Sequence, residues 1–161
     1  MEKKKGEMGY LAVPEHHLSI IRYTGKITVD NMIDFVTKQY KSPDIIDSYL
    51  KLIDLRFANI KSGTDTLQKL ITHVTSKSIK GEKRVILVRK PVETALMMLY
   101  KRKATRLKID ICSTLDRACT LLEIPVHEDE LAFYIDNVPM GTSSSDTKIT
   151  PNRNKTTRKS F

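Results

Sequence analysis

The chain has 161 residues, 40% of them hydrophobic, which is room for one ordinary domain with a real core. No apolar run approaches the roughly 20 residues needed to cross a bilayer, and the opening MEKKKGEMGY lacks an apolar stretch behind its charges, so neither a membrane span nor a secretion signal is expected and the expected compartment is the cytoplasm. The net charge of +9 is unevenly placed: residues 78–108 hold ten basic and two acidic side chains, residues 109–138 one basic and seven acidic.

In chain order, residues 10–13 read as a short strand that pairs across Pro14 with residues 18–24, LSIIRYT, closed by a turn at Gly25. Thr28 then caps a helix to about Tyr40 whose apolar face is Val29, Met32, Ile33 and Val36, and Ser42-Pro43-Asp44 ends it. Residues 49–55, YLKLIDL, are more apolar than alternating, as suits a central strand covered on both faces.

A polar turn at 61–65 opens the next helix, which repeats Leu67, Leu70, Ile71 and Val74 up to about Ser76. Ser62 with Asp65 three residues on has the spacing of a capping box. Residues 84–88 form a strand, and Pro91 stands where a first helical residue tolerates a missing amide. The expected buried stripe of that helix is Val92, Ala95, Leu96 and Leu99, and Lys101, Arg102 and Lys103 close it. Leu107, Ile109 and Ile111 alternate with polar residues as a last strand. Ser113 with Asp116 reads as a second capping box, opening a helix on Leu115, Ala118, Cys119 and Leu122 that stops before Pro125.

The expected fold is therefore α/β, a single mixed and mostly parallel sheet with a β-hairpin start and four helices. Its organisation is an N-terminal tail at 1–8, the α/β domain at 9–124, an acidic linker at 125–138 with a short apolar segment (131–135), and a disordered basic tail at 139–161.

Chemical motifs are few. Neither GxGxxG nor GxxxxGK[ST] is present, which disfavours nucleotide binding of those kinds. His16 and His17 are adjacent and diverge, while His73 and His127 stand far from them, so no metal site is announced and no cofactor is called for. Cys112 and Cys119 form no CxxC and read as packed thiols. Two helix starts with hydroxyls, Ser62-Gly63-Thr64-Asp65 and Ser113-Thr114, fall at the C-terminal edge of the sheet, where open α/β sheets bind ligands and partners. The basic band at 80–108, with Lys83, Arg84, Arg89, Lys90, Lys101, Arg102 and Lys103, could draw anionic lipid or nucleic acid, although a charge run is also what a solvated face looks like.

The hairpin ending in Thr24-Gly25-Lys26-Ile27-Thr28, the strands 50–56 and 85–88, and the ending Ile111-Cys112-Ser113-Thr114-Leu115-Asp116 resemble the STAS superfamily over about residues 9–124, in its divergent anti-sigma-factor-antagonist-like (SpoIIAA-like) branch. The resemblance implies a non-enzymatic, cytoplasmic, bacterial regulatory module with a protein partner, and it leaves a homodimer open. In phosphorylated members a Ser or Thr at the helix start after the strand-end Asp is the switch, which here corresponds to Ser62 or Thr64. The acidic neighbour of that acceptor is missing, since Lys61 precedes Ser62 and Gly63 comes after it. The turn is accordingly expected to be an interaction surface without phosphorylation.

Overall fold

The computed structural model describes residues 6–39, 41, 48–79 and 81–142. A hairpin opens the fold, β1 (Glu7–Val13) turning through a 3-10 segment at Pro14–His16 into β2 (Leu18–Thr28). The chain continues through α1 (Val29–Gln39), β3 (Leu50–Lys61), α2 (Thr64–Lys77), β4 (Lys83–Leu87), α3 (Pro91–Lys103), β5 (Lys108–Cys112), α4 (Leu115–Leu122), α5 (Glu128–Asp136) and β6 (Met140–Thr142). The six strands form one sheet in the order β5-β4-β3-β2-β1-β6.

β2, β3, β4 and β5 are parallel neighbours, whereas β1 runs antiparallel to both β2 and β6. The sheet is thus mixed rather than mostly parallel, and among the described residues it carries five helices rather than four. The extra helix lies in the segment expected to be an acidic linker. There Leu131 and Ile135, one turn apart, are fully buried while Glu128, Asp129 and Glu130 sit in the first turn, where the helix dipole favours acidic groups. β6 is formed by the first residues of the segment expected to be a tail. It approaches β1 so closely that a Cβ on Gly9 would stand 2.1 Å from the Pro139 carbonyl oxygen.

Strands β2 to β5 are added in one direction, and crossovers of one hand then place the connecting helices α1, α2 and α3 on one face. Phe35, Leu67 and Met97, from α1, α2 and α3, share one core with Ile21, Ile53 and Ile86 of the strands. The opposite face is closed by the chain beyond β5, with Ala118 and Leu122 of α4 and Leu131 and Ile135 of α5 packed on Ile20, Leu52 and Val85. Those two helices have 8 and 9 residues, hence lengths of about 12 to 14 Å, against about 40 Å for the 12-residue β3. The described residues cover the second face only in part.

Several local expectations shift. β3 continues six residues past Leu55, and β2 passes through Gly25, whose φ of 71° suits glycine. On α3 the buried residues are Glu93, Met97 and Tyr100, with Val92 69% exposed. The stripe is displaced by one residue because buried Glu93 accepts the Ile60 amide of β3 (Oε1, 3.2 Å), which fixes the rotation of the helix. Tyr40, Ser42, Pro43, Asp44, Lys80 and most of the basic tail, 143–161, lie outside the described residues, as do residues 1–5. On the helix-rich face the void beneath α1, α2 and α3 is about 30 Å³, the size for a water and not for a lipid chain.

Candidate binding face

The parallel strands do not end together. β4 pairs with β3 only as far as Asp54, while β2 and β3 continue side by side to the pair Thr28 and Lys61. Over this extension Ile27, Ala58 and Ile60 point into the core beneath the helices. The residues between them, Lys26, Phe57, Asn59 and Lys61, are exposed on the other side, and Phe57 keeps 46% of its surface. Among the described residues no helix covers that side, because α4 and α5 are too short to reach it.

Where β4 stops, β3 would present unpaired amides, a template for another strand. Two carboxylates close it. Asp54 Oδ1 accepts from the Arg56 amide at 3.1 Å, and Glu93 accepts from Ile60. Asp54 is fully buried and also takes Arg56 Nε (3.0 Å, Oδ1) and Nη2 (3.1 Å, Oδ2), a bidentate pairing, while Arg22 Nε stands 3.8 Å from Oδ2. Arg22 Nη1 donates to the Ile135 carbonyl of α5 at 3.4 Å, so this cluster marks where helix cover ends. Beyond it the Arg56 guanidinium lies 5.4 Å from the Phe57 ring centre, and Lys90, the residue before α3, donates to Asn59 Oδ1.

The two hydroxyl turns do not form one site. Lys61 pairs with Thr28, six residues along β2 from Arg22, whose partner Asp54 is level with Leu87 and Cys112, which at about 3.3 Å per residue separates Ser62 from Ser113 by roughly 20 Å along the sheet. The helices opened by these turns, α2 and α4, also pack on opposite faces. Neither expected capping box forms. Gly63 is the N-cap of α2, without a side-chain cap, and Ser62 Oγ donates to the Gly63 carbonyl at 2.9 Å; β3 runs on to Lys61, so the helix starts one residue late for Ser62. At α4 the cap is Thr114, whose Oγ1 accepts from the Arg117 amide at 3.2 Å, with Ser113 exposed one residue outside. Thr64 begins α2, and exposed Asp65 lines an open groove of about 590 Å³ between α1 and α2, with Asp30, Lys69 and His73.

The basic band divides. Arg89 and Lys90 sit just past the C-terminal end of β4, at the end that carries the open face. Lys83, Lys101, Arg102 and Lys103 belong to the other end, where Asp110 stands 3.8 Å from Lys83 and 3.9 Å from Lys101. Arg84 leaves the surface altogether, since it is buried on Glu82, itself 3.9 Å from the buried Lys51. Burial, with Arg84 adding to it and Glu82 opposing, pushes the Lys51 ammonium down to about 8.

The nucleophile candidates are quiet. Burial raises the Cys112 thiol to about 11 against the smaller lowering effects of the Thr114 amide, Arg117 and Arg56, and burial, Asp116 and Glu128 raise Cys119. The histidines stay apart: His17 stacks on Tyr49 at 5.0 Å, His73 Nε2 is 2.9 Å from Thr37 Oγ1, and His127 Nδ1 caps α5 by accepting from the Asp129 amide at 3.2 Å. Among the described residues no three His, Cys, Asp or Glu side chains gather at metal-binding spacing. No described helix is long and apolar enough to cross a membrane.

Ending β3 at Leu55, where its apolar run stops, hides the open face. The signal lies in Arg56-Phe57-Ala58-Asn59-Ile60-Lys61, where Ala58 and Ile60 alternate with Asn59 and Lys61, and again in Lys26-Ile27-Thr28. No family model, no curated protein and no solved structure matches this chain.

Proposed function

We propose that this chain is a non-catalytic, STAS-like regulatory module that acts by docking a partner on the uncovered C-terminal extension of β2 and β3. The observation that supports the reading is Phe57, exposed on β3 and flanked by Arg56, Lys26 and Lys61, while both carboxylates bordering it are consumed by β3 itself. An exposed aromatic within a polar rim is the kind of group that carries binding energy at interfaces. The hairpin feeding parallel β/α units favours the STAS-like reading, and a cytoplasmic, bacterial setting goes with it. Phosphorylation is not part of the proposal, because Ser62 turns its hydroxyl to its own chain at the far tip of the extension. The second reading, an anionic ligand on the 80–108 band, is weakened by the division of that band between two ends of the sheet.

Affinity capture from the cells that make the protein tests this with three baits matched for thermal stability. They are the wild type, a face variant (Lys26→Glu with Phe57→Ser), and an opposite-end variant (Arg102→Glu with Lys103→Glu). The partner is expected to be lost with the face variant alone. Loss with the opposite-end variant, and retention by the face variant, would assign docking to the other end.

A further inference from the structure

We propose that the β2–β3 face binds single-stranded nucleic acid, with Phe57 as the surface on which a base stacks and Lys26, Lys61 and Lys90 as the phosphate contacts. This rests on reading that face as the docking surface and names the chemistry of its occupant.

Charge complementarity comes first. Lys26, Lys61 and Arg89 are exposed at this end, and Lys90 reaches Asn59 on the face itself. Buried Asp54 is held by Arg56 and Arg22, and buried Glu93 by the Ile60 amide, so neither presents its charge to an arriving anion; half-buried Glu7 stands on the same strand row, and exposed Asp30 and Asp65 stand at the helix starts beyond its tip. The aromatic group comes second. Phe57 stands on a strand, and the guanidinium over one face of its ring is itself pinned by Asp54, which leaves the other face ready for a base at small entropic cost. The route of the chain comes third. Thr142 pairs with Glu7, Glu7 with Thr24 and Thr24 with Phe57, so the sequence leaves the sheet on the row that contains Phe57. It continues for 19 residues with five basic side chains and one acidic.

An exposed aromatic on an open sheet face suits splayed bases better than a duplex, whose bases are already stacked. It suits them better than a lipid surface, which calls for a wide apolar face to insert.

The test is fluorescence anisotropy of full-length protein with fluorescein-labelled twelve-nucleotide oligo-U and oligo-dT across a salt series. Phe57→Ala should weaken binding about tenfold without altering the salt slope, since stacking releases no counterions. Replacing Lys26, Lys61 and Lys90 together by Ala should make the slope of log K against log salt shallower by about 2. Unchanged binding by both variants overturns the proposal, because the tail alone then carries the contact. Equal affinity for a hairpin duplex overturns stacking, and binding to anionic phosphatidylglycerol vesicles but not to either oligonucleotide assigns the face to lipid. If neither oligonucleotide binds while a captured protein is still lost with Lys26→Glu and Phe57→Ser, the nucleic-acid proposal falls and the docking reading stands.

Discussion

The two ends of the sheet handle positive charge in opposite ways. Where the parallel strands begin, Lys51 and Arg84 are drawn inside with Glu82, and Asp110 stands between Lys83 and Lys101 at the surface. Where they finish, the two carboxylates at the β3 edge, Asp54 and Glu93, go inside, while Lys26, Lys61 and Arg89 remain outside together with Asp30 and Asp65 at the helix starts. At the first end the ions hold the fold together; at the second they close a strand edge and leave a basic surface over. Adjacency in sequence hides this, since Arg84 and Arg89 are five residues apart and belong to different ends with different work.

Breaking the comparison at Asp54 should have the largest effect. Asp54→Ala leaves Arg22 and Arg56 partly buried without their carboxylate and frees the Arg56 amide, so a loss of about 3 to 5 kcal/mol in urea unfolding is expected. Next, Leu131→Ala should cost about 3 kcal/mol by the same measurement, because α5 closes the second core with that side chain. A loss below about 0.5 kcal/mol would show that the helix is not part of the folding unit.

The buried-charge end is sharpened by pH. The folded pKa of Lys51, about 8, lies below its ordinary 10.5, so between those values the unfolded chain holds a proton that the folded chain lacks. Stability should therefore rise with pH from about 8, by up to roughly 1 kcal/mol per unit, and Lys51→Met should flatten that rise. Cys112, raised from 9.0 to about 11, works in the opposite sense, removing stability as pH climbs through that interval. Cys119, also raised, acts in that same sense, and because the unfolded thiols begin to ionise below 9, the Lys51 contribution is read as the difference in slope between wild type and Lys51→Met over about pH 8 to 9. The smallest effect separates the hydroxyls. Thr114→Ala should cost about 1 kcal/mol, and Ser113→Ala or Ser62→Ala only a few tenths, because Thr114 alone of the three caps its helix with its side chain.

The legible parts of the fold are those written in strong periodicity. Leu67, Leu70, Ile71 and Val74 on α2, and Ala118, Cys119 and Leu122 on α4, face the core as their spacing requires. The phase of α3 is not legible, because a buried carboxylate looks polar in a sequence and nothing local says that Glu93 will meet an amide of β3. The caps move by one residue for a related reason: how far β3 runs decides where the turn begins, and that depends on β2 beside it. α5 is hidden by its own acidic first turn, since two buried side chains in nine residues make a faint stripe. The open face arises from a balance of lengths, long strands against short closing helices, which no single segment displays.

Residue-resolved amide NMR of the full chain, titrated with twelve-nucleotide oligo-U, tests the central claim most directly. Shifts concentrated at Thr24, Lys26, Phe57, Asn59, Lys61 and Lys90 are the predicted result. Shifts concentrated instead around Lys83, Lys101, Arg102 and Lys103, with Phe57 unmoved, would contradict the account.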